Sequence, residues 1–162
     1  MIYREEKGDL FEMRGYSLTH CISQDCAMGA GIAVAFNKKF NGMKGYCLRV
    51  IEENNLSFPC VVPFTASCNG YNIFVFNLIT KRVYYGKPTY TTITKAIKDM
   101  AFMCKQFNVK KLAMPKIGCG LDRLQWDEVR EIIKEAFKDI DIEIVVKYLW
   151  GVDKHFKVVY SI

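Results

Sequence analysis

The sequence lacks the cysteine and histidine patterns that mark disulfide scaffolds and zinc sites. Its seven cysteines form no CxxC pair, and its two histidines, His20 and His155, do not have zinc-site spacing. An odd number of cysteines also argues against a disulfide framework. We therefore expect reduced thiols, no metal and no cofactor.

Apolar segments long enough to cross a bilayer are also missing. Residues 54–80 carry no charge, but Pro59, Pro63 and the Asn69–Gly70 pair interrupt this stretch, and its apolar pieces are too short to span a membrane. The opening residues include charged side chains and contain no signal-peptide core. The expected location is therefore the cytoplasm or the nucleus, with no membrane partner.

Long basic runs are absent as well, although the chain is basic. Its net charge is +6 and its pI is near 8.9, yet no run of basic residues is longer than two. The charge suits an anionic partner, either a nucleic acid or a small molecule that carries phosphate. Because the sequence has neither a basic helix nor a clustered aromatic platform, a nucleic-acid-binding protein is the weaker alternative.

What the sequence does contain is a regular alternation of strand and helix patterns. Its 162 residues, 51% hydrophobic and 25% charged, fit one globular domain. Asn69–Gly70 predicts a hairpin between two β-prone segments. This order predicts an α/β domain with helices on both faces of a mixed, mostly parallel sheet. The predicted strands are residues 2–7, 16–22, 59–67, 71–80, 111–115 and 140–149, and the predicted helices are 29–40, 43–54, 89–104 and 126–137.

Three loops that contain glycine follow predicted strands, at residues 8–11, 22–31 and 116–122. In sheets of this type, ligands bind beyond the carboxyl ends of the strands. Glycine lets the backbone approach a diphosphate, and a helix N-terminus offers free N–H groups. The three loops together predict a phosphate-binding crevice, although a single GxG such as Gly29–Gly31 also fits a plain strand-to-helix turn.

Individual residues in these loops and strands have competing interpretations. Lys81 ends a predicted strand, and it is either a surface lysine or a nucleophile in a partly desolvated cleft. Asp122 is either a carboxylate presented to the ligand or the N-cap of the next helix. Cys119 could be a thiolate nucleophile, but no histidine has an obvious route to it. His20 and Cys21 are strand neighbours that point to opposite faces, so we expect them to be mainly structural.

The sequence contains five distinctive strings: GDLF (8–11), HCISQDCAMGAGIA (20–33), LITK (78–81), KPTY (87–90) and MPKIGCGLDRLQW (114–126). Together they resemble the terminal ADP-ribose protein glycohydrolase branch of the macrodomain family. The likeness extends over residues 2–149, and the intervals between the strings are similar. Many other macrodomain hydrolases carry an asparagine-rich NAAN string where this sequence has Cys21–Ile22–Ser23, which favours this branch and a lysine-dependent mechanism.

The resemblance implies a three-layer α/β/α macrodomain over residues 1–150. Its partners would be ADP-ribose and mono-ADP-ribosylated proteins, with poly-ADP-ribose as a further ligand of the same chemistry. Residues 151–162 run past where the family usually ends, and their apolar, β-prone character predicts an extra edge strand of the same domain or a docking segment. The family needs no metal, and we expect a monomer.

The resemblance also assigns parts of ADP-ribose to residues of this sequence. Asp9 and Leu10 would contact the adenine end, where Asp9 would accept a hydrogen bond from the exocyclic amine. Leu149 would close on the adenosine side. Two glycine loops supply the remaining contacts: Ser23, Gly29, Ala30 and Gly31 would face the distal ribose and a phosphate, and Lys116, Ile117, Gly118, Cys119, Gly120 and Leu121 would wrap the diphosphate.

By the same resemblance, Lys81 is the nucleophile and Asp122 the acid/base of a hydrolase. The substrate would be a glutamate or aspartate side chain esterified to mono-ADP-ribose, cleaved through a lysyl–ADP-ribose intermediate. The family also removes the acetyl group from O-acetyl-ADP-ribose. The alternative is a module that binds ADP-ribose without cleaving it, but simple binding requires neither Lys81 nor Asp122.

Overall fold

The computed structural model of the protein describes residues 1–149, which form six strands and four α-helices. A short 3-10 turn over Leu10–Glu12 follows the first strand. The extension predicted for residues 151–162 lies outside the described residues. In chain order the elements are β1 (Ile2–Lys7), β2 (Ser17–Ser23), α1 (Ile32–Lys39), α2 (Met43–Glu53), β3 (Cys60–Cys68), β4 (Tyr71–Lys81), α3 (Tyr90–Gln106), β5 (Lys111–Met114), α4 (Trp126–Phe137) and β6 (Glu143–Tyr148).

The strands form one sheet with the order β1-β6-β5-β2-β4-β3. Of the described strands, β3 alone runs antiparallel to its neighbour, so the sheet is mixed and mostly parallel, as the sequence predicts. Because the other five strands run in the same direction, the loops that follow them leave from the same edge. This edge therefore collects residues 8–11, 24–31, 82–88 and 115–122, which are far apart in the sequence.

The β3–β4 hairpin turns at Asn69 and Gly70, as predicted. Cys68 pairs with Tyr71 across the turn, which leaves a two-residue connection. Asn69 and Gly70 have φ angles of +52° and +83°, the left-handed conformation that type I′ hairpin turns require at both central positions. The Asn-Gly pair thus sets the register of β3 against β4.

Two hydrophobic cores lie on opposite faces of the sheet and produce the predicted three layers. Helices α1 and α2 cover one face, and helices α3 and α4 cover the other. The ring of His20 stacks on Phe36 of α1 at 3.9 Å, whereas Cys21 belongs to the core beneath α3 and α4. The prediction that His20 and Cys21 point to opposite faces is confirmed.

Helix α3 begins where the sequence predicts, because Thr89 caps it. The Thr89 hydroxyl accepts from the Thr92 amide at 3.1 Å, and the Thr92 hydroxyl accepts from the Thr89 amide at 3.0 Å. This reciprocal pair satisfies two backbone donors at the helix start. Within residues 1–149, no helix is long and apolar enough to cross a membrane.

An ion pair connects the edge strand β1 to helix α4. Arg130 contacts the Glu5 carboxylate through Nε at 2.5 Å and through its terminal nitrogen at 3.1 Å. Tyr3 and Trp126 donate to the same carboxylate. The hydrogen bond from Arg130 is the main reason that the pKa of Glu5 falls to about 2, against the opposing effect of burial. The loop that follows β1 therefore leaves from a fixed strand end.

Candidate active site

A cleft of about 510 Å³ opens at the carboxyl edge of the parallel strands. Its walls come from the ends of β2 and β4, the loop before α1, the loop after β4 and the loop after β5. A cavity of this size at this edge is where α/β domains bind small ligands. Its lining residues are Cys21, Ile22, Ser23, Ala27, Met28, Gly29, Ala30, Ala33, Lys81, Tyr84, Lys87, Leu121 and Asp122.

Lys81 and Asp122 meet inside this cleft. Lys81 is the last residue of β4, and its Nζ lies 2.6 Å from Oδ1 of Asp122, 41 residues further along the chain. The side chain of Lys81 is 14% exposed and that of Asp122 is 2% exposed. Surface lysines keep their charge in water, so an amine held this deep against a carboxylate does not fit the surface interpretation. The pair unites a nitrogen nucleophile with a group that can accept or return its proton.

The interpretation of Asp122 as a helix N-cap is wrong. Helix α4 begins at Trp126, and its N-cap residue is Gln125, which makes no side-chain capping bond. Asp122 lies three residues before Gln125 and uses its carboxylate on Lys81 instead. The structure therefore supports the other interpretation, in which Asp122 presents its carboxylate to the cleft.

The thiols near this pair are poorly suited to act as nucleophiles. Burial raises the pKa of Cys119 to about 12, although Lys116 lowers it in part, and its Sγ donates to the Ile117 carbonyl at 3.3 Å. Burial also raises the pKa of Cys21 well above its usual range. A thiol that stays protonated at neutral pH is not an activated nucleophile. Among residues 1–149, no cluster of three or more His, Cys, Asp or Glu side chains is placed to hold a metal ion.

The first glycine loop contributes its backbone to the cleft. Ser23, Gly29 and Ala30 line it, as predicted, and Gly31 stands next to them as the N-cap of α1. Among the described residues, the amides of Gly29, Ala30 and Gly31 donate to no acceptor of the chain. These free N–H groups at a helix start are the donors that an anionic oxygen needs.

The second glycine loop contributes less to this cleft than the sequence predicts. Only its end reaches the lining, through Leu121 and Asp122. Ile117 is fully buried, and the amides of Ile117 and Cys119 donate inside the loop, to the carbonyls of Pro115 and Lys116. The Lys116 ammonium lies over the ring of Tyr148 at 4.9 Å. The prediction that residues 116–120 bind a diphosphate stays a prediction.

Gly118 fixes the shape of this second loop. Its φ angle is +74°, and a Cβ atom at this position would lie 2.6 Å from Cδ1 of Ile93 and 3.2 Å from Cδ1 of Leu124. A Cβ atom at the first of these distances would force the Ile93 side chain to shift. The loop therefore approaches helix α3 closely because residue 118 has no side chain.

The predicted adenine-end residues lie outside this cleft. Oδ1 of Asp9 accepts from the Phe11 amide at 2.9 Å and so caps the short 3-10 turn, and Leu10 is fully buried. Leu149 is half-buried directly after β6. The Gly8 amide donates to the Tyr148 carbonyl at 2.8 Å, which brings the segments of Asp9 and Leu149 together. Their roles with adenine stay predictions.

Sequence reasoning missed the loop after β4 and its anchors. Tyr84 and Lys87 line the cleft. The Tyr84 amide donates to Oδ2 of Asp25 at 3.0 Å, and Lys87 Nζ donates to the Leu121 carbonyl at 2.6 Å. The signal available in the sequence was the adjacent pair Tyr84–Tyr85 directly after a predicted strand. In the structure both residues are more than half exposed. Nothing in the sequence shows that Asp25 reaches this loop.

Fold and cleft together define an α/β/α domain with a ligand site at the carboxyl edge of a mixed sheet. The model of the Macro domain family matches residues 19–133, and the chain belongs to this family. ADP-ribose glycohydrolase OARD1 of Bos taurus and that of Homo sapiens are each 43% identical over 141 residues, covering 86% of this chain and 87% of theirs. The solved macrodomain of Thermus aquaticus DarG has a TM-score of 0.80 at 21% identity, covering 90% of this chain and 97% of that one. The likeness to that structure shows the fold.

Proposed function

We propose that this macrodomain is a hydrolase that removes mono-ADP-ribose from glutamate and aspartate side chains of proteins. The observation that carries the proposal is the buried contact of 2.6 Å between Lys81 and Asp122 inside a cleft with free backbone donors. A binding module needs no such pair. The relatives at 43% identity, which are named ADP-ribose glycohydrolases, support the same activity.

The first step uses Lys81 as nucleophile. The Lys81 ammonium gives a proton to the Asp122 carboxylate, and the resulting amine attacks the anomeric carbon of the distal ribose. A C–N bond forms, and the C–O bond to the modified side chain breaks. The electron pair of that bond leaves with the carboxylate of the glutamate or aspartate. Because a carboxylate is a stable anion, this step needs little help from an acid.

The second step returns the enzyme to its starting state. Asp122 first releases to solvent the proton that it took from Lys81. It then takes a proton from a water molecule as that water attacks the anomeric carbon of the lysyl–ADP-ribose intermediate, and it gives this proton to the departing Lys81 nitrogen. The C–N bond breaks, and ADP-ribose and the Lys81 ammonium beside the Asp122 carboxylate result. Asp122 suits this role because its carboxylate lies in a largely water-excluded position, where its proton transfers are confined to neighbouring groups.

The same site suits O-acetyl-ADP-ribose as a second substrate. Both substrates share ADP-ribose, and they differ in the acyl group that the distal ribose carries. With the ribose beside Lys81, an acetyl ester on a ribose hydroxyl would lie close to Asp122. Asp122 would then direct a water molecule to the acetyl carbonyl carbon.

The decisive experiment replaces Lys81 by arginine. Lys81→Arg keeps a cation beside Asp122, but the guanidinium stays protonated and cannot attack carbon. We expect release of ADP-ribose from a glutamate-modified protein to fall by about a thousandfold or more. Lys105→Ala is the matched control, because it removes an exposed lysine at the far end of α3 and should leave release unchanged.

Two results would contradict the proposal. Full release by Lys81→Arg, with an unchanged Tm, would remove the lysine from the mechanism. Native protein that binds ADP-ribose in calorimetry but releases none from the modified substrate would be a binding module.

A further inference from the structure

The carboxylate of Asp25 holds three parts of the cleft wall together. Its Oδ1 accepts a hydrogen bond from the Ser23 hydroxyl and one from the Ala27 amide at 3.3 Å. Its Oδ2 accepts from the Tyr84 amide at 3.0 Å. Ser23, Ala27 and Tyr84 all line the cleft, whereas Asp25 does not. Asp25 can therefore act on a bound ligand through these three neighbours.

The contact with Asp25 fixes which hydrogen bond Ser23 can offer to a ligand. Hydrogen bonds from the Ser23 hydroxyl and the two amides outweigh the effect of burial and lower the pKa of Asp25, so its carboxylate is ionised at neutral pH. An ionised carboxylate only accepts hydrogen bonds, and a serine hydroxyl has one hydrogen to give. Since the Ser23 hydroxyl gives that hydrogen to Asp25, its oxygen can offer a ligand in the cleft only an acceptor.

The position of Ser23 relates this acceptor to the reacting end of the cleft. Ser23 pairs with Lys81 across strands β2 and β4, and the next amide, of Gln24, donates to the Lys81 carbonyl at 2.9 Å. A ligand oxygen near Ser23 is therefore close to the nucleophile. Ribose hydroxyls can donate to such an acceptor, whereas ionised phosphate oxygens cannot.

We propose that Asp25 is a positioning residue that makes Ser23 an acceptor for a hydroxyl of the distal ribose. The inference rests on the proposed function and narrows it, because Ser23 would recognise the sugar and not the phosphates. Asp25 also holds Tyr84 at the same end of the cleft through its second oxygen. Through Ser23, the site distinguishes ADP-ribose from ADP, which lacks the distal ribose.

The experiment measures binding of ADP-ribose and of ADP by calorimetry in native protein, Asp25→Asn and Ser23→Ala. An amide has one oxygen and a donor group, so Asp25→Asn cannot keep all three contacts. We expect both variants to bind ADP-ribose about tenfold more weakly and ADP as the native protein does. If Asp25 acts on the ligand through Ser23, the double variant should bind ADP-ribose no more weakly than Ser23→Ala does.

Turnover supplies a second measurement. Asp25→Asn should raise KM by a similar factor and leave kcat nearly unchanged, as expected for a contact made equally before and during the reaction. Asp141→Asn is the control, because it removes one carboxylate charge from a 96% exposed side chain at the opposite edge of the sheet. This control should match the native protein in both assays.

The outcomes separate the inference from the proposed function. If Asp25→Asn weakened the binding of ADP and of ADP-ribose equally, the role of Asp25 would be merely structural. That result would overturn the inference but not the proposed function. Unchanged binding of ADP-ribose would also overturn it. A native protein that binds no ADP-ribose would overturn the proposed function, and the inference with it.

Discussion

Replacing Asp122 by alanine should separate the two halves of the proposed reaction. The change removes the carboxylate of a side chain that is 2% exposed from its contact with Lys81, whose side chain is 14% exposed. Breaking a fully buried ion pair costs about 3–5 kcal/mol of unfolding free energy. Because Lys81 still reaches solvent through the cleft, we expect a smaller loss of about 2 kcal/mol.

The catalytic effect should fall mainly on the second step. Lys81 can lose its proton to water in the open cleft, whereas the water that resolves the intermediate needs a base at a fixed position. A positioned acid/base contributes about a hundredfold to ten-thousandfold to such a step. Resolution should therefore slow by at least about a hundredfold, and the lysyl–ADP-ribose intermediate should accumulate.

Intact-protein mass spectrometry during turnover measures this accumulation directly. Asp122→Ala incubated with modified substrate should gain the mass of one ADP-ribosyl group, and peptide mapping should place it on Lys81. Asp127→Ala, which removes a 91% exposed carboxylate from the first turn of α4, should show neither the adduct nor slower turnover. Normal turnover by Asp122→Ala without any adduct would refute the assigned role of Asp122.

Two further predictions concern stability. Burial lowers the pKa of His20 to about 4. As the pH falls, His20 is therefore protonated in the unfolded chain before it is protonated in the folded state. The free energy of unfolding should drop by about 3 kcal/mol from pH 6.5 to 4 for this reason. Denaturant titrations should show a shallower drop in His20→Gln, and an equal slope in both proteins would contradict the assignment. Gly118→Ala should destabilise the protein by at least about 1 kcal/mol, because of its positive φ angle and the 2.6 Å approach to Ile93. Gly45→Ala is the control, because Gly45 lies in helix α2 and a Cβ atom there would have no neighbour within 4 Å. This change should stabilise the protein by about 0.5–1 kcal/mol. Similar losses of stability in both variants would refute the packing argument.

Local sequence signals determined most of the element boundaries. The Asn69–Gly70 turn, the Thr89 cap and the helix from Trp126 to Phe137 all lie where the sequence predicts them. Each of these signals acts over a few residues, because a turn or a cap depends on backbone conformation and on hydrogen bonds to near neighbours. The alternation of strands and helices likewise predicted a mixed sheet between two helical layers.

The site depended on contacts that no local pattern encodes. Lys81 and Asp122 are 41 residues apart, and Asp25 and Tyr84 are 59 apart. Sequence reasoning could place Lys81 at a strand end, but it left Asp122 open between a helix cap and a carboxylate in the cleft, and it missed Asp25. The tertiary structure decides these questions because the crossovers place β4 beside β2, and the loop after β5 reaches the end of β4. Only this arrangement determines which carboxylate each amine, amide or hydroxyl meets.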